Sequence, residues 1–550
     1  MFGFIFAFSL IHLVIVGSSS ASSSHSSSFP TTSWLPVFEL TTKNSGLIDY
    51  TVEVGEPKQT LALRVDVVNP ELWLPGANQF TACESQSSTS EDFTTGTSAY
   101  DTAIETPCAP SGAFDLNSSI SGAYLTENDE RVSSEDEAFH IQLYAIDGIA
   151  TSGYKAEDDF QFPILEPFKN GSLHNNTVSI ERIPFIWANE SYVQVGSLGL
   201  SRTVQSGYNN FLTYFKDNEF IKSNSYSLAP AGTNDSTPLL IAGGLSTSNF
   251  QGDMYQFDFI PVQDDSGESI LGDTTWSDSL PVIPLSGLGV TSSSGNAVRF
   301  SNDFTEQNSS GSYPIPAMLD SRITYNFIPY STLISLALEL NAYYAESLGS
   351  WLVECDVASA GTIDFYFGNL TLNIPIDMVL DVQRNEDGST LTFENGNDAC
   401  ALNFLPSEYL GYSLLGTPFI NSVHLAVNND NRTIALAQPA EDKDLSEEVF
   451  YPILSEVIPH ATTANSEDFA SLTLTINSYL YNADPASKYS QAIISGGEVY
   501  VTGASSASSA SNASPSGSYS TSSKGDAQRM TSAIAISTLT GFLCLLVQLL

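Results

Sequence analysis

Two aspartates, Asp66 and Asp320, stand in matching surroundings 254 residues apart. The first lies in Leu61-Ala62-Leu63-Arg64-Val65-Asp66-Val67-Val68-Asn69-Pro70-Glu71-Leu72-Trp73-Leu74. The second lies in Ala317-Met318-Leu319-Asp320-Ser321-Arg322-Ile323-Thr324-Tyr325-Asn326-Phe327-Ile328-Pro329. Each time an apolar run reaches an Asp, a turn follows, and apolar residues resume. Two such half-sites imply two similar lobes, each bringing one carboxylate to a shared cleft. Carboxylates held that close cannot both ionise cheaply, so the pair shares a proton and titrates as a unit. The ionised member activates a water and the protonated member polarises a carbonyl, which is acid–base hydrolysis.

The elements that must position these turns read as strands. Residues 48–54 alternate apolar and polar, turn at Gly55-Glu56-Pro57, and return through 59–68 into Asp66. Residues 78–137 are polar and acidic and read as one long exposed insertion. Strands resume at Ala138–Tyr144, turn at Asp147-Gly148, and return through Gly153–Phe162. Leu239–Gly244 reads as a buried strand. Apolar spacing predicts a helix over Tyr330–Leu348. Short strands dominate elsewhere, so the fold class is all-β with a few short helices, and the chain has two lobes.

The chain has 550 residues, with 18 Lys+Arg against 62 Asp+Glu and a net charge of -44. That balance excludes nucleic acid and anionic membrane surfaces as partners, which need basic surface. Residues 1–21 read as a signal peptide, with an apolar run from Phe2 to Gly17 and small residues after it. Residues 504–525 form a Ser/Ala-rich stalk open to O-glycosylation. Residues 526–550 end in an apolar tail from Met530 to Leu550. Small residues, a polar spacer and a terminal apolar tail form the pattern of a GPI-attachment signal, with Gly525, Ser523 and Ser522 as candidate attachment residues. A transmembrane tail is the alternative.

In an oxidising compartment the cysteines other than Cys544 pair. Cys83–Cys108 with Cys355–Cys400 closes one loop per lobe, and spacing leaves the other two pairings open. No Cys-x-x-Cys or close His cluster accompanies them, so neither metal nor cofactor is expected. Nine Asn-x-Ser/Thr acceptors occur: Asn117, Asn170, Asn175, Asn189, Asn234, Asn308, Asn369, Asn431 and Asn512.

Over roughly residues 38–438 the motif order resembles the pepsin-like aspartic endopeptidases. Tyr50 to Gln59 resembles that family's opening hairpin. Asp66 followed by Leu72-Trp73-Leu74 resembles the first catalytic site, and Asp320 to Pro329 the second. Tyr144 matches the flap tyrosine. Gly196-Ser197-Leu198-Gly199-Leu200 and Leu414-Leu415-Gly416-Thr417-Pro418-Phe419 resemble the two segments that cross behind the aspartates. Ile241-Ala242-Gly243-Gly244 matches the strand before the second lobe. The stalk, the tail and residues Tyr489–Tyr500 are most similar to the yapsins, GPI-anchored fungal surface proteases. The resemblance implies a bilobal fold, with lobes at 38–255 and 256–438, a short N-terminal segment at 22–37 and a pendant segment at 439–503. It further implies a monomer at the plasma membrane or cell wall, a GPI lipid, and an extended peptide or protein in the cleft. Cleavage at basic residues is part of the same implication.

The chain departs from that family where Asp-Thr/Ser-Gly is expected. Val67 lacks a hydroxyl, Ser321 keeps one, and Val68 and Arg322 replace the glycines. A Cβ at either turn is expected to hinder the approach of backbone amide to carboxylate. A fixed cation at Arg322 is expected to act on its neighbour Asp320 and to favour the charged form. Two functions therefore stand: an endopeptidase with Asp66 and Asp320 as its dyad, or a catalytically impaired pseudoprotease acting in peptide binding or wall structure. Residues 22–37 hold no Lys or Arg, unlike the basic pro-segment of pepsin-like zymogens.

Overall fold

A computed structural model describes residues 34–502, apart from 44–45, 78–110, 145–149, 168–172, 192, 203–209, 232–236, 265–278, 301–312, 386, 441–448, 465–468 and 477–490. The described chain is built mostly of strands, with α-helices at Phe211–Asp217, Tyr330–Glu339 and Thr417–Ile420.

The first lobe starts from a hairpin. Ile48–Val54 pairs antiparallel with Gln59–Asp66, Tyr50 opposite Leu63 and Val52 opposite Leu61. Side chains alternate between the two faces of a strand, so Tyr50, Val52, Val54, Leu61, Leu63 and Val65 all enter the core. Arg64, on the opposite face, forms an ion pair with buried Asp49. The strand Gly196–Gly199 runs parallel to Gln59–Asp66, with Gly199 level with Asp66. It also lies antiparallel to Leu72–Pro75, which in turn runs parallel to Ile186–Ala188.

The second lobe repeats this arrangement. Ile315–Leu319 runs parallel to Ser413–Leu415, and Asn326–Ile328 lies antiparallel to that strand at Phe327 and Leu414. Asn326–Ile328 is parallel to Phe404–Pro406. Each Asp therefore ends a strand flanked by a crossing segment. The crossings are close enough to exclude side chains: a Cβ on Gly199 would lie 2.2 Å from the Pro70 carbonyl carbon, and one on Gly416 2.3 Å from the Tyr325 oxygen.

An antiparallel sheet joins the lobes. Its order is Val37–Glu39, Leu239–Ala242, Ser225–Ala229, His424–Asn428, Thr433–Pro439, Phe250–Asp258. The seam between the lobes lies at Ser225–Ala229 and His424–Asn428, and it keeps the two aspartate turns facing each other.

Three sequence expectations change. The helix predicted over 330–348 ends at Glu339, because Asn341 takes a φ of 54° and Tyr343–Ala345 turns to strand. Its first amide, at Tyr330, is capped by the Glu408 carboxylate at 3.1 Å from each oxygen. Part of the acidic insertion also packs: Tyr124 is buried and pairs with Ala156. The buried Lys155 ammonium meets Asp129 at 2.6 Å, and Arg131 and Arg182 both reach Glu157. Lys155 needs an anion beside it, and the acidic turn supplies one.

The stretch set apart as pendant carries strands that join the body. Phe450–Pro452 pairs with Gly244–Ser246, and Ala461–Thr463 lies along Met254–Gln256. The hairpin Gln491–Ser495 and Glu498–Thr502 extends a sheet of the second lobe beside Tyr343–Ala345.

Cys355 and Cys400 form a disulfide with Cα atoms 5.0 Å apart, while Cys83 and Cys108 lie outside the described residues. Its sequence separation of 45 residues sets a loop-closure entropy, so Cys355→Ser is expected to lower stability by about 4 kcal/mol. Denaturant unfolding measures this, and a loss below about 1 kcal/mol contradicts it.

Candidate active site

Asp66 and Asp320 sit at the ends of their strands, fully buried, in turns that touch across the lobe seam. In the first turn the amides of Val68 and Asn69 donate to Asp66 Oδ1 at 3.0 and 2.9 Å. In the second the amide of Arg322 donates to Asp320 Oδ1 at 2.8 Å. The amide two residues on thus reaches the carboxylate in both turns. The expectation that a Cβ at positions 68 and 322 would prevent this is overturned: neither residue needs a positive φ.

Ser321 ties the turns together. Its hydroxyl donates to the Val65 carbonyl at 2.6 Å and accepts the Val67 amide at 3.0 Å. In a symmetric arrangement a hydroxyl at position 67 would make the reciprocal bonds. Val67 cannot, so half of the bridge is present.

Asp66 is held by more donors than its turn alone provides. Asn69 Nδ2 lies 3.1 Å from Oδ2, and the Ser197 hydroxyl donates to Oδ2 at 3.1 Å. Ser197 was not singled out as a site residue; its position in the crossing segment, level with Arg64 in the parallel register, is the signal that could have found it. Asn326 does comparable work in the second lobe, accepting the Gly416 amide at 3.0 Å on its side-chain oxygen.

The feature that most changes the chemistry is Arg322. Sequence reasoning placed its charge on its neighbour Asp320; its side chain also reaches across the seam, where Nε lies 3.2 Å from Asp66 Oδ2, with the Arg322 side chain 6% and the Asp66 side chain 0% exposed. The dyad therefore holds a fixed cation next to its first carboxylate.

A further carboxyl belongs to this cluster. Glu71 is partly buried at the entry to Leu72–Pro75. Burial pushes its carboxyl up to about 7, with Asp66 raising it further and a backbone hydrogen bond and Arg322 opposing.

Of the other site residues expected from sequence, Tyr144 ends the strand His140–Tyr144 and pairs with Ala150, which makes a hairpin whose turn lies outside the described residues. Asn117, Asn175, Asn369 and Asn431 are exposed and Asn189 is partly buried. Asn170, Asn234, Asn308 and Asn512 lie outside the described residues, as do Ser522, Ser523 and Gly525. Among the described residues no helix is long and apolar enough to cross a membrane.

Residues 49–439 match the family model described as "Eukaryotic aspartyl protease". The chain is 31% identical over 341 residues to "Aspartic proteinase yapsin-7" of Saccharomyces cerevisiae, covering 56% of this chain and 54% of that protein. It is 27% identical over 388 residues to "Probable aspartic-type endopeptidase opsB" of Aspergillus oryzae, covering 70% and 67%. "Aspartic proteinase 3" of Saccharomyces cerevisiae is 22% identical over 463 residues, covering 75% and 73%. The match thus spans little more than half the length of yapsin-7. Two strand-ending aspartates in repeated folds, facing each other across a sheet that joins two lobes, agree with the family match, and the chain belongs to the eukaryotic aspartyl protease family.

Proposed function

We propose that this chain is a catalytically impaired aspartic protease of the fungal cell surface that holds extended peptides in its cleft without efficient cleavage. One observation carries the reading: the buried Arg322 Nε, 3.2 Å from Asp66 Oδ2. Hydrolysis by two carboxylates needs one proton shared between them. A guanidinium beside Asp66 supplies the positive charge that this proton would supply, and it cannot be given to a scissile amide because Arg stays protonated. Losing one preorganised donor at such a site commonly costs about a hundredfold in rate. The missing hydroxyl at Val67 adds to that loss. The test is to incubate the purified protein with a mixture of peptides at acid pH and analyse bound and free fractions by mass spectrometry. Intact peptides retained on the protein are expected. Rapid accumulation of cleavage products, or no retention at all, sinks the reading.

A second reading, a yapsin-like endopeptidase cleaving at basic residues in wall or secretory proteins, is favoured by the surviving support of the dyad. Ser321 still bridges the turns, and Asn69 and Ser197 still hold Asp66. A net charge of -44 would attract basic chains.

The location rests on sequence alone: a signal at 1–21, a stalk at 504–525 and a GPI signal at 526–550. Glycans are proposed for the exposed Asn117, Asn175, Asn369 and Asn431. Deleting residues 530–550 should release the protein into the medium, since the tail supplies the membrane attachment. Immunoblotting of cells and medium checks this, and a truncated protein retained on cells contradicts it.

A further inference from the structure

The segment that docks after the second lobe is held firmly at two points and bare between them. Ile453 and Ile458 are fully buried, in one apolar cluster with Leu245, Met254 and Ala426. Leu454 and Val457, in the turn between them, are 44% and 46% exposed and pair through an antiparallel bridge. Single apolar residues on a surface are ordinary. Here two share one tight turn, and two asparagines reach that turn from the side. Asn431 Nδ2 donates to the Glu456 carbonyl at 3.2 Å, and Asn428 Nδ2 donates to the Leu454 carbonyl at 2.9 Å. Both asparagines belong to the hairpin that connects His424–Asn428 to Thr433–Pro439 in the sheet joining the lobes.

Asn431 opens the acceptor Asn431-Arg432-Thr433, and Thr433 carries a second, independent sign. It is 1% exposed, and its hydroxyl has no hydrogen-bond partner among the described residues. A buried hydroxyl without a partner costs its lost hydration, and valine fits the same shape in a strand without that cost. The other described acceptors differ. Thr177 and Thr371 are exposed, while Ser119 and Ser191 accept the amides of Glu56 and Val193. The Thr433 hydroxyl therefore does nothing for the folded chain. It has a use before folding, because an N-glycan acceptor needs a hydroxyl two residues after its asparagine.

We propose that Asn431 carries an N-linked glycan whose first sugars lie over Leu454 and Val457 and fasten their turn to the hairpin between the lobes. In forming the link, Nδ2 loses one proton and bonds to C1 of the first sugar, while C1 leaves the phosphate of a lipid-pyrophosphate oligosaccharide donor. The second Nδ2 hydrogen remains for the Glu456 carbonyl. A sugar ring has C–H faces as well as hydroxyls, so it covers apolar side chains while still facing water. The proposal rests on the secretory reading given above. It goes beyond that reading by giving one glycan a structural task, keeping the docked segment on the sheet that aligns the two lobes.

The experiment uses the full-length chain purified from a glycosylating fungal host. Peptide mass spectrometry reads the occupancy of each acceptor. The glycan on Asn431 should be present in the parent and in Thr433→Ser and absent from Thr433→Val. The Val variant leaves Asn431 and its bond to Glu456 in place. Its Tm shift is then measured in two backgrounds, the parent and Leu454→Ser/Val457→Ser. Both serines replace side chains that are nearly half exposed, so the core is left intact. Loss of the buried hydroxyl is common to both backgrounds and cancels, so the difference between the two shifts isolates the contact between sugar and turn. Thr433→Val should cost the parent at least about 2 °C more than it costs the doubly substituted protein. Should the pair of serines prevent folding, Val457→Ser alone supplies the second background. Equal shifts in the two backgrounds overturn the proposal, and so does a bare Asn431. Glycans on Asn117 or Asn175 beside a bare Asn431 would leave the secretory reading standing while this proposal falls. A chain with no N-glycan at all would sink both.

Discussion

Replacing Val67 with Thr, Val68 with Gly and Arg322 with Gly together is expected to raise peptide hydrolysis at acid pH at least about tenfold, equivalent to about 1.4 kcal/mol of barrier. The three changes do not contribute equally. Removing Arg322 takes away the cation at 3.2 Å from Asp66 and allows the two carboxyls to share a proton. Val67→Thr adds the hydroxyl that completes the bridge half made by Ser321, which already accepts the Val67 amide and donates to the Val65 carbonyl. Val68→Gly should add least, because the Val68 amide already lies 3.0 Å from Asp66 Oδ1. Arg322→Gly alone should therefore give most of the gain. Two added glycines widen the unfolded ensemble, so the repaired protein should melt no higher than its parent. The measurement is kcat/KM on a fluorogenic peptide. A correctly folded triple variant with unchanged kcat/KM would mean that Arg322 is not what limits the chemistry.

Asp66→Asn is expected to destabilise the protein by about 3–5 kcal/mol, the cost of leaving a buried cation without its partner. The loss arises because Arg322 is 6% exposed and has Asp66 against its Nε. The carboxylate also accepts the Val68 and Asn69 amides and the Ser197 hydroxyl, and an amide side chain can serve only part of that set. Arg322→Gln should cost less than Asp66→Asn, since the freed Asp66 can share a proton with Asp320. The asymmetry is diagnostic. In a dyad that already holds a shared proton, Asp→Asn strands no cation. Urea unfolding of both variants tests this. A destabilisation by Asp66→Asn of under about 0.5 kcal/mol, the range of ordinary surface changes, would contradict a buried ion pair at this seam.

Much of the frame was legible because it is written in local patterns. Alternation over Ile48–Val54 and Gln59–Asp66 placed the first Asp at the end of a strand. The segments at 196–200 and 414–419 were found by resemblance, and the structure adds that Gly199 and Gly416 sit at crossings too close for a Cβ. The disulfide of Cys355 and Cys400 agrees with one of the pairings their number allowed. What escaped depends on contacts between distant segments. The direction of Arg322 could not be read, because a long side chain chooses among partners that only the assembled seam brings near. Glu71 was hidden in an apolar run, and Ser197 among small residues. Lys155 looked like one polar position in an alternating strand, so its pairing with Asp129, and with it the docking of the acidic turn, was invisible. The helix from Tyr330 was overextended because the apolar spacing continues past Asn341, where a positive φ ends it.

The central claim is that the Arg322 guanidinium occupies the electrostatic place of the shared proton, so that the parent site does not turn over peptides as a working dyad does. It is tested most directly by the rate of acid-pH peptide hydrolysis by the purified parent protein beside that of its Asp66→Asn variant. Equal rates, both far below that of the Arg322→Gly protein, are the predicted result. A parent that hydrolyses peptide about a hundredfold faster than Asp66→Asn, the size of effect expected when a working catalytic group is removed, would contradict it.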